Sequence, residues 1–244
     1  MALGIHAVLE ADFIPGQPPA ESFLAHAIFA NVSAAVLLIA GAAVLWRRSR
    51  VWGAAAIALY FGLVMAVFMN GPVVLAHYAE YGAYFGVAEG VALAAAGLII
   101  FATTAHIRAG LATVLVRFAQ IAFSLCPLFF GGAHFFYLKP TVELIPQWLP
   151  PNQNFWAYAT GFGHIAAGIA ILTRVQARLA AVLLTIMYAA FLPLVFVPVL
   201  MADPANQFRW TEAVMTLALA GAAWVVAGSL AQPTVRSEVG RSDE

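Results

Sequence analysis

The chain has 244 residues, of which 64% are hydrophobic and 9% charged, with a mean hydropathy of +0.91; a soluble domain, with roughly a quarter of its residues charged, could not hide that much apolar surface from water. Eleven Lys and Arg balance eleven Asp and Glu, which excludes the basic excess of a nucleic-acid binder, and the lone Cys126 excludes an intramolecular disulfide, a CxxC centre and a thiolate-held iron–sulfur cluster. The composition is that of a polytopic membrane protein.

The first 22 residues lack a basic segment followed by a full apolar core, so no cleaved signal peptide is expected and the first apolar run serves as insertion signal. Seven stretches are then long enough to cross a hydrocarbon core of about 30 Å: 23–46, 51–75, 83–104, 112–137, 154–173, 179–201 and 210–231. They are continuous apolar runs rather than alternating ten-residue segments, which predicts an all-α bundle and not an outer-membrane barrel. A polar tail, 233–244, follows the last run.

Charge predicts the orientation. Arg47, Arg48, Arg50, Arg108, Arg117, Arg174, Arg178, Arg236 and Arg241 fall on one side of this seven-span arrangement, Lys139 and Arg209 on the other. Positive residues stay cytoplasmic, which puts the N-terminus outside and the C-terminus inside. Arg117, inside the fourth span, is expected to snorkel to the inner interface.

The first three spans resemble the last three. Phe13-Ile14-Pro15 with Pro18-Pro19 precedes the first span, and Leu144-Ile145-Pro146 with Pro150-Pro151 precedes the fifth. Asn31 aligns with His164; Arg50 and Tyr60 align with Arg178 and Tyr188 at an offset of 128; Glu89 aligns with Glu212. Both units start outside, so the expectation is a parallel repeat about an axis along the membrane normal. Residues 1–110 form the first unit, with three spans and no leading helix; residues 111–232 form the second, with four.

Polar groups within the spans mark a candidate site, because an ionisable residue in a bilayer is costly and faces the bundle interior. Asn70, Glu89 and His134 lie one to two turns below the outer surface, Asn31 and His164 near mid-membrane, and Glu212 close to the outer interface. The inner halves are almost bare, which predicts an outward-facing polar chamber. Gly82, Gly86, Gly90 and Ala94 form a small-residue stripe beside Glu89, and Gly131/His134 and Gly161/His164/Gly168 place each histidine at a close helix contact. Two such imidazoles can hydrogen-bond across helices, ligate a metal or haem, move protons or contact an organic ligand. Spacing puts His164 roughly 15 Å deep and His134 about one turn deep, a separation that favours ligand contact over a shared metal. Glu89 reads equally as a proton carrier or as a neutral lock between helices. No catalytic residue and no metal ligand is assigned.

Gly132-Ala133-His134-Phe135 at a helix end, Lys139-Pro140, Ile145-Pro146-Gln147-Trp148-Leu149-Pro150-Pro151, and Phe155-Trp156-Ala157-Tyr158 with Gly161 and Gly168 together resemble the DoxX/DoxD-like family of four-helix membrane proteins. The match spans residues 112–231 and reaches 10–104 through the repeat; where that family carries a Glu after the Pro-rich loop, this chain has His164. The resemblance implies duplicated four-helix units and an association with quinone-linked oxidation or membrane redox complexes of the bacterial inner membrane. Three functions follow as expectations: a quinone-linked redox protein or oxidoreductase subunit working with a redox partner, a binder or carrier of a lipid or isoprenoid, and a structural subunit of a larger, oligomeric membrane complex. Quinone is the cofactor implied, haem less so, and the surrounding lipid is the constant partner.

Overall fold

The computed structural model describes residues 1–5 and 26–231. The Pro-rich approach at 13–19, the acidic residues of the N-terminal segment and the polar tail with Arg236 and Arg241 lie outside the described residues. Within them the chain is helical throughout, without a strand.

Seven of the helices are long and apolar enough to cross a membrane: α1 (His26–Leu45), α2 (Arg50–Ala76), α3 (Tyr81–Thr104), α4 (Ala109–Phe136), α6 (Gln153–Thr173), α7 (Ala177–Ala202) and α8 (Gln207–Ser229). They match the seven apolar runs to within a few residues. One element was not expected: α5 (Leu138–Leu144), a short helix where the sequence reads as loop. Pro140 sits in its first turn, where the missing N–H would have no intrahelical acceptor.

Helix ends are set by local chemistry. Asn152 caps α6, its Oδ1 accepting from the Phe155 N–H at 2.8 Å, and Asn206 caps α8 by accepting from the Arg209 N–H at 3.1 Å. Trp156 and Trp210 then donate their indole N–H to the carbonyls of Pro150 and Pro204, at 2.8 and 3.0 Å. The same Pro-x-Asn-Gln-x-x-Trp string, at 150–156 and 204–210, starts both helices. Two helices are not α throughout: α2 is π-helical over Tyr60–Met69 and α7 over Leu192–Phe196, each just ahead of a helical stretch beginning Gly71-Pro72 or Val197-Pro198. A widened turn of this kind bends a helix and often marks a functional region.

Packing follows the order α3–α4–α6–α7–α8 and back to α3, a closed ring of five helices, with α2 against α3 outside it and α1 against α2. Glycines make the α4–α6 contact tight. A Cβ on Gly131 would stand 2.7 Å from the Gly161 carbonyl oxygen, and one on Gly168 would stand 2.7 Å from that of Ser124. Phe123, Met65, Ile171, Leu184 and Tyr188 fill the middle. Outside, large apolar side chains are exposed: Leu75 at 80%, Met201 at 78% and Trp52 at 77%. Water would penalise such a surface, at about 25 cal/mol per Å²; lipid does not.

Candidate functional site

The ring encloses a cavity of about 530 Å³ at the end of the bundle away from the arginine-bearing turns. Every ring helix gives it at least one polar group: Glu89 from α3, His134 from α4, His164 from α6, Tyr188 from α7, and Glu212 with Thr211 and Thr216 from α8. Asn70 joins from α2, and Phe130, Phe191 and Phe208 provide aromatic wall. Five of the six residues expected from the sequence therefore meet: Glu89, His134, His164, Asn70 and Glu212.

Asn31 does not meet them. It is exposed on α1, whose buried side carries Ala30, Ser33, Ala34 and Leu37. The reason is topological: α1 contacts α2 and stands outside the ring, so depth in the membrane alone could not bring Asn31 to the cavity.

The separation expected between the two histidines is also corrected. Their rings lie 4.9 Å apart, centre to centre. Side chains lean toward the N-terminus of their own helix, and α4 and α6 run antiparallel, so His134 leans inward and His164 leans outward until the rings meet. Helix ends add to this. α4 stops two residues beyond His134, whereas α6 projects further and is covered by α5, whose Val142 carbonyl accepts from the Gln153 side chain at 3.0 Å.

Each imidazole is anchored to its own helix. His134 Nδ1 donates to the Phe130 carbonyl and His164 Nδ1 to the Thr160 carbonyl, both at 2.8 Å. His164 is 1% exposed, packed against Tyr188 and Phe191 with ring centres 5.3 and 6.2 Å away. Among the described residues neither Nε2 has a hydrogen-bond partner, nor do the Glu89 carboxyl and the Tyr188 hydroxyl.

Asn70 and Glu212 are held by the protein. Asn70, buried, donates from Nδ2 to the Met65 carbonyl at 2.8 Å, a carbonyl within the π-helical stretch. Its Oδ1 lies against Gly86, where a larger residue would displace the Asn70 amide. Glu212 pairs with Arg209 at 2.6 Å, one turn away and partly exposed. The cavity thus has a polar floor with unsatisfied groups, an aromatic wall and a neutralised carboxylate toward the rim.

Tyr188 and the phenylalanine wall were not assigned to the site from sequence, Tyr188 being noticed only as the repeat partner of Tyr60. A lone phenol in the middle of an apolar span was the available signal. Among the described residues no group of three or more His, Cys, Asp or Glu is placed to hold a metal ion. Nor do the histidines fit the two axial positions of one haem, since axial ligands stand on opposite faces of the macrocycle and these rings are 4.9 Å apart. The space and donor set do fit an apolar ring with a polar edge, at a volume within the usual range of about 300–1,000 Å³ for small-molecule sites.

A family model described as "Domain of unknown function (DUF8561)" matches residues 123–231. That segment contains His134, His164, Tyr188 and Glu212, and leaves Asn70 and Glu89 outside. No curated protein and no solved structure matches the chain.

Proposed function

We propose that the chain is a DoxX-like protein of the bacterial plasma membrane, N-terminus outside, whose ring-enclosed cavity binds the head ring of a quinone and links it to a membrane redox complex. The observation that carries the reading is the convergence of Glu89, His134, His164, Tyr188 and Glu212, one from each helix of a closed ring, on a single aromatic-walled cavity. A polar residue that only fixed helix register would be satisfied by its neighbouring helix; the histidine Nε2 atoms and the Glu89 carboxyl are not.

The parallel repeat belongs to the same proposal. Supporting it, α1–α2–α3 and α6–α7–α8 pack in the same order, and the middle helix of each triplet turns π-helical at or just beyond the paired Tyr60 and Tyr188. The chain itself offers ligand contacts; electrons would pass through the quinone to or from a partner subunit.

Organic extraction of the full chain, purified in mild detergent, tests the reading. Quinone is expected in near-stoichiometric amount from the native chain and is lost from Thr216→Phe, which projects a ring into the cavity that Thr216 lines. Recovery of phospholipid or isoprenoid alone, equally from both proteins, would replace the quinone reading with that of a lipid binder or a structural subunit.

A further inference from the structure

The hydrogen bonds of the histidine pair specify the polarity of the ligand's head. The carbonyl oxygens of Phe130 and Thr160 can only accept, so each Nδ1 facing them at 2.8 Å carries the proton. An imidazole with a single proton then has a lone pair at Nε2. A second proton on either ring would put a positive charge into an aromatic enclosure beside the other imidazole, with centres 4.9 Å apart and no carboxylate hydrogen-bonded to either among the described residues. Two neutral acceptors therefore face the cavity from α4 and α6.

A quinone carbonyl is itself only an acceptor and would bring lone pair against lone pair. A hydroxyl bonds to Nε2 directly. We infer that the cavity selects an apolar ligand that presents a hydroxyl donor, a hydroquinone or phenol, over the acceptor-only oxidised ring, with the Nε2 atoms of the His134–His164 pair as the acceptors that hydroxyl meets. Tyr188 and Glu89 line the same cavity without a partner among the described residues and are available to the ligand's remaining oxygen. Phe130 and Phe191 supply the faces against which a ring lies. The inference rests on the reading of the cavity as a quinone-ring pocket, and it adds which redox form that pocket prefers.

The test uses the full chain in nanodiscs and three probes sharing one short alkyl tail: a benzoquinol, the matching benzoquinone, and the dimethyl ether of the quinol. Affinities are measured anaerobically. The quinol is expected to bind about tenfold more tightly than the quinone, as one to two buried hydrogen bonds gained in place of acceptor–acceptor contacts would give. The ether, with the same ring and no donor, binds no better than the quinone. His164→Gln and, separately, His134→Gln each offer an amide N–H₂ to the cavity and narrow or reverse the preference, so a failure of one variant to fold leaves the other to decide. Equal or tighter binding of the quinone by the native chain, or a preference unchanged in a folded histidine variant, overturns the donor inference while leaving the pocket reading intact. Binding of none of the probes overturns both.

Discussion

The two ends of this bundle use polar residues in opposite ways. At the arginine end the side chains bond to the protein, though the buried Arg117 Nη1 is left without a partner among the described residues. Arg50 Nε donates to the Val44 carbonyl at 3.1 Å, Arg117 Nη2 to the Leu172 carbonyl at 2.9 Å, and Gln120 Nε2 to Ser229 Oγ at 3.0 Å. Val44 and Leu172 each lie one residue before the end of their helix, where carbonyls lack intrahelical donors, so these arginines act as C-terminal caps. At the cavity end, the two Nε2 atoms and the Glu89 carboxyl face open space. Asn70 and Glu212 are clips at that end too, so the contrast lies in the histidine Nε2 atoms and the Glu89 carboxyl, which wait for a partner. Type and depth in the membrane do not separate the two roles; the hydrogen-bond partner does.

Substitutions can break this contrast. The largest effect is expected at the α4–α6 contact, which carries the histidine pair. Gly168→Leu drives a side chain into Leu128 and the Ser124 carbonyl, and should cost about 3 kcal/mol or more and abolish ligand retention with it. Thermal unfolding in detergent, followed by extraction, reads both losses; a native melting curve would mean that the tight contact is not needed.

Arg117→Met removes a clip and leaves the α6 end uncapped. Stability should fall by about 1–3 kcal/mol, while ligand bound per folded protein stays at the native level. His134→Phe should do the reverse, reducing bound ligand while moving stability by less than about 1 kcal/mol, because the larger ring has the cavity to extend into and only the Phe130 carbonyl loses its extra donor. If Arg117→Met emptied the cavity, or His134→Phe melted the protein with its ligand content intact, the division between the ends would fail.

The smallest change is expected at the rim. The Arg209–Glu212 pair is about a third exposed, so Arg209→Gln should alter stability by about 0–1 kcal/mol. Its use is in sharpening the contrast. A strong loss of ligand in this variant would move the binding contacts outward from the histidines to Glu212.

Much of this was legible in the sequence, for reasons particular residues make plain. Lipid demands long apolar runs, so all seven spans could be read directly, whereas α5 is short, polar in part and announced only by Lys139-Pro140. Helices that are apolar on every side give no amphipathic stripe, so the runs say what crosses and not which helices close the ring; that is why Asn31, at a plausible depth, stands away from the cavity. The polar positions were informative because burial in a bilayer is costly for them, and Glu89, His134, His164, Asn70 and Glu212 do share one cavity. Distance was the harder quantity. Rise per residue locates Cα atoms, but the lean of the two imidazoles along antiparallel helices closed a gap that backbone arithmetic left open. Arg117, expected to reach toward the inner interface, donates to the Leu172 carbonyl one residue before the end of α6, a specific partner that spacing alone could not name.

The most direct test of the central claim, that the ring's polar groups exist to hold a ligand, is an electron cryomicroscopy map of the full chain in nanodiscs made from its native membrane. Density for a ring is predicted within the cavity, flanked by Phe130 and Phe191, with one of its oxygens in hydrogen-bond range of the His134 or the His164 Nε2 atom. A cavity filled instead by repacked side chains, with each Nε2 bonded to a neighbouring helix, would contradict the claim and make the histidines clips like the arginines at the other end.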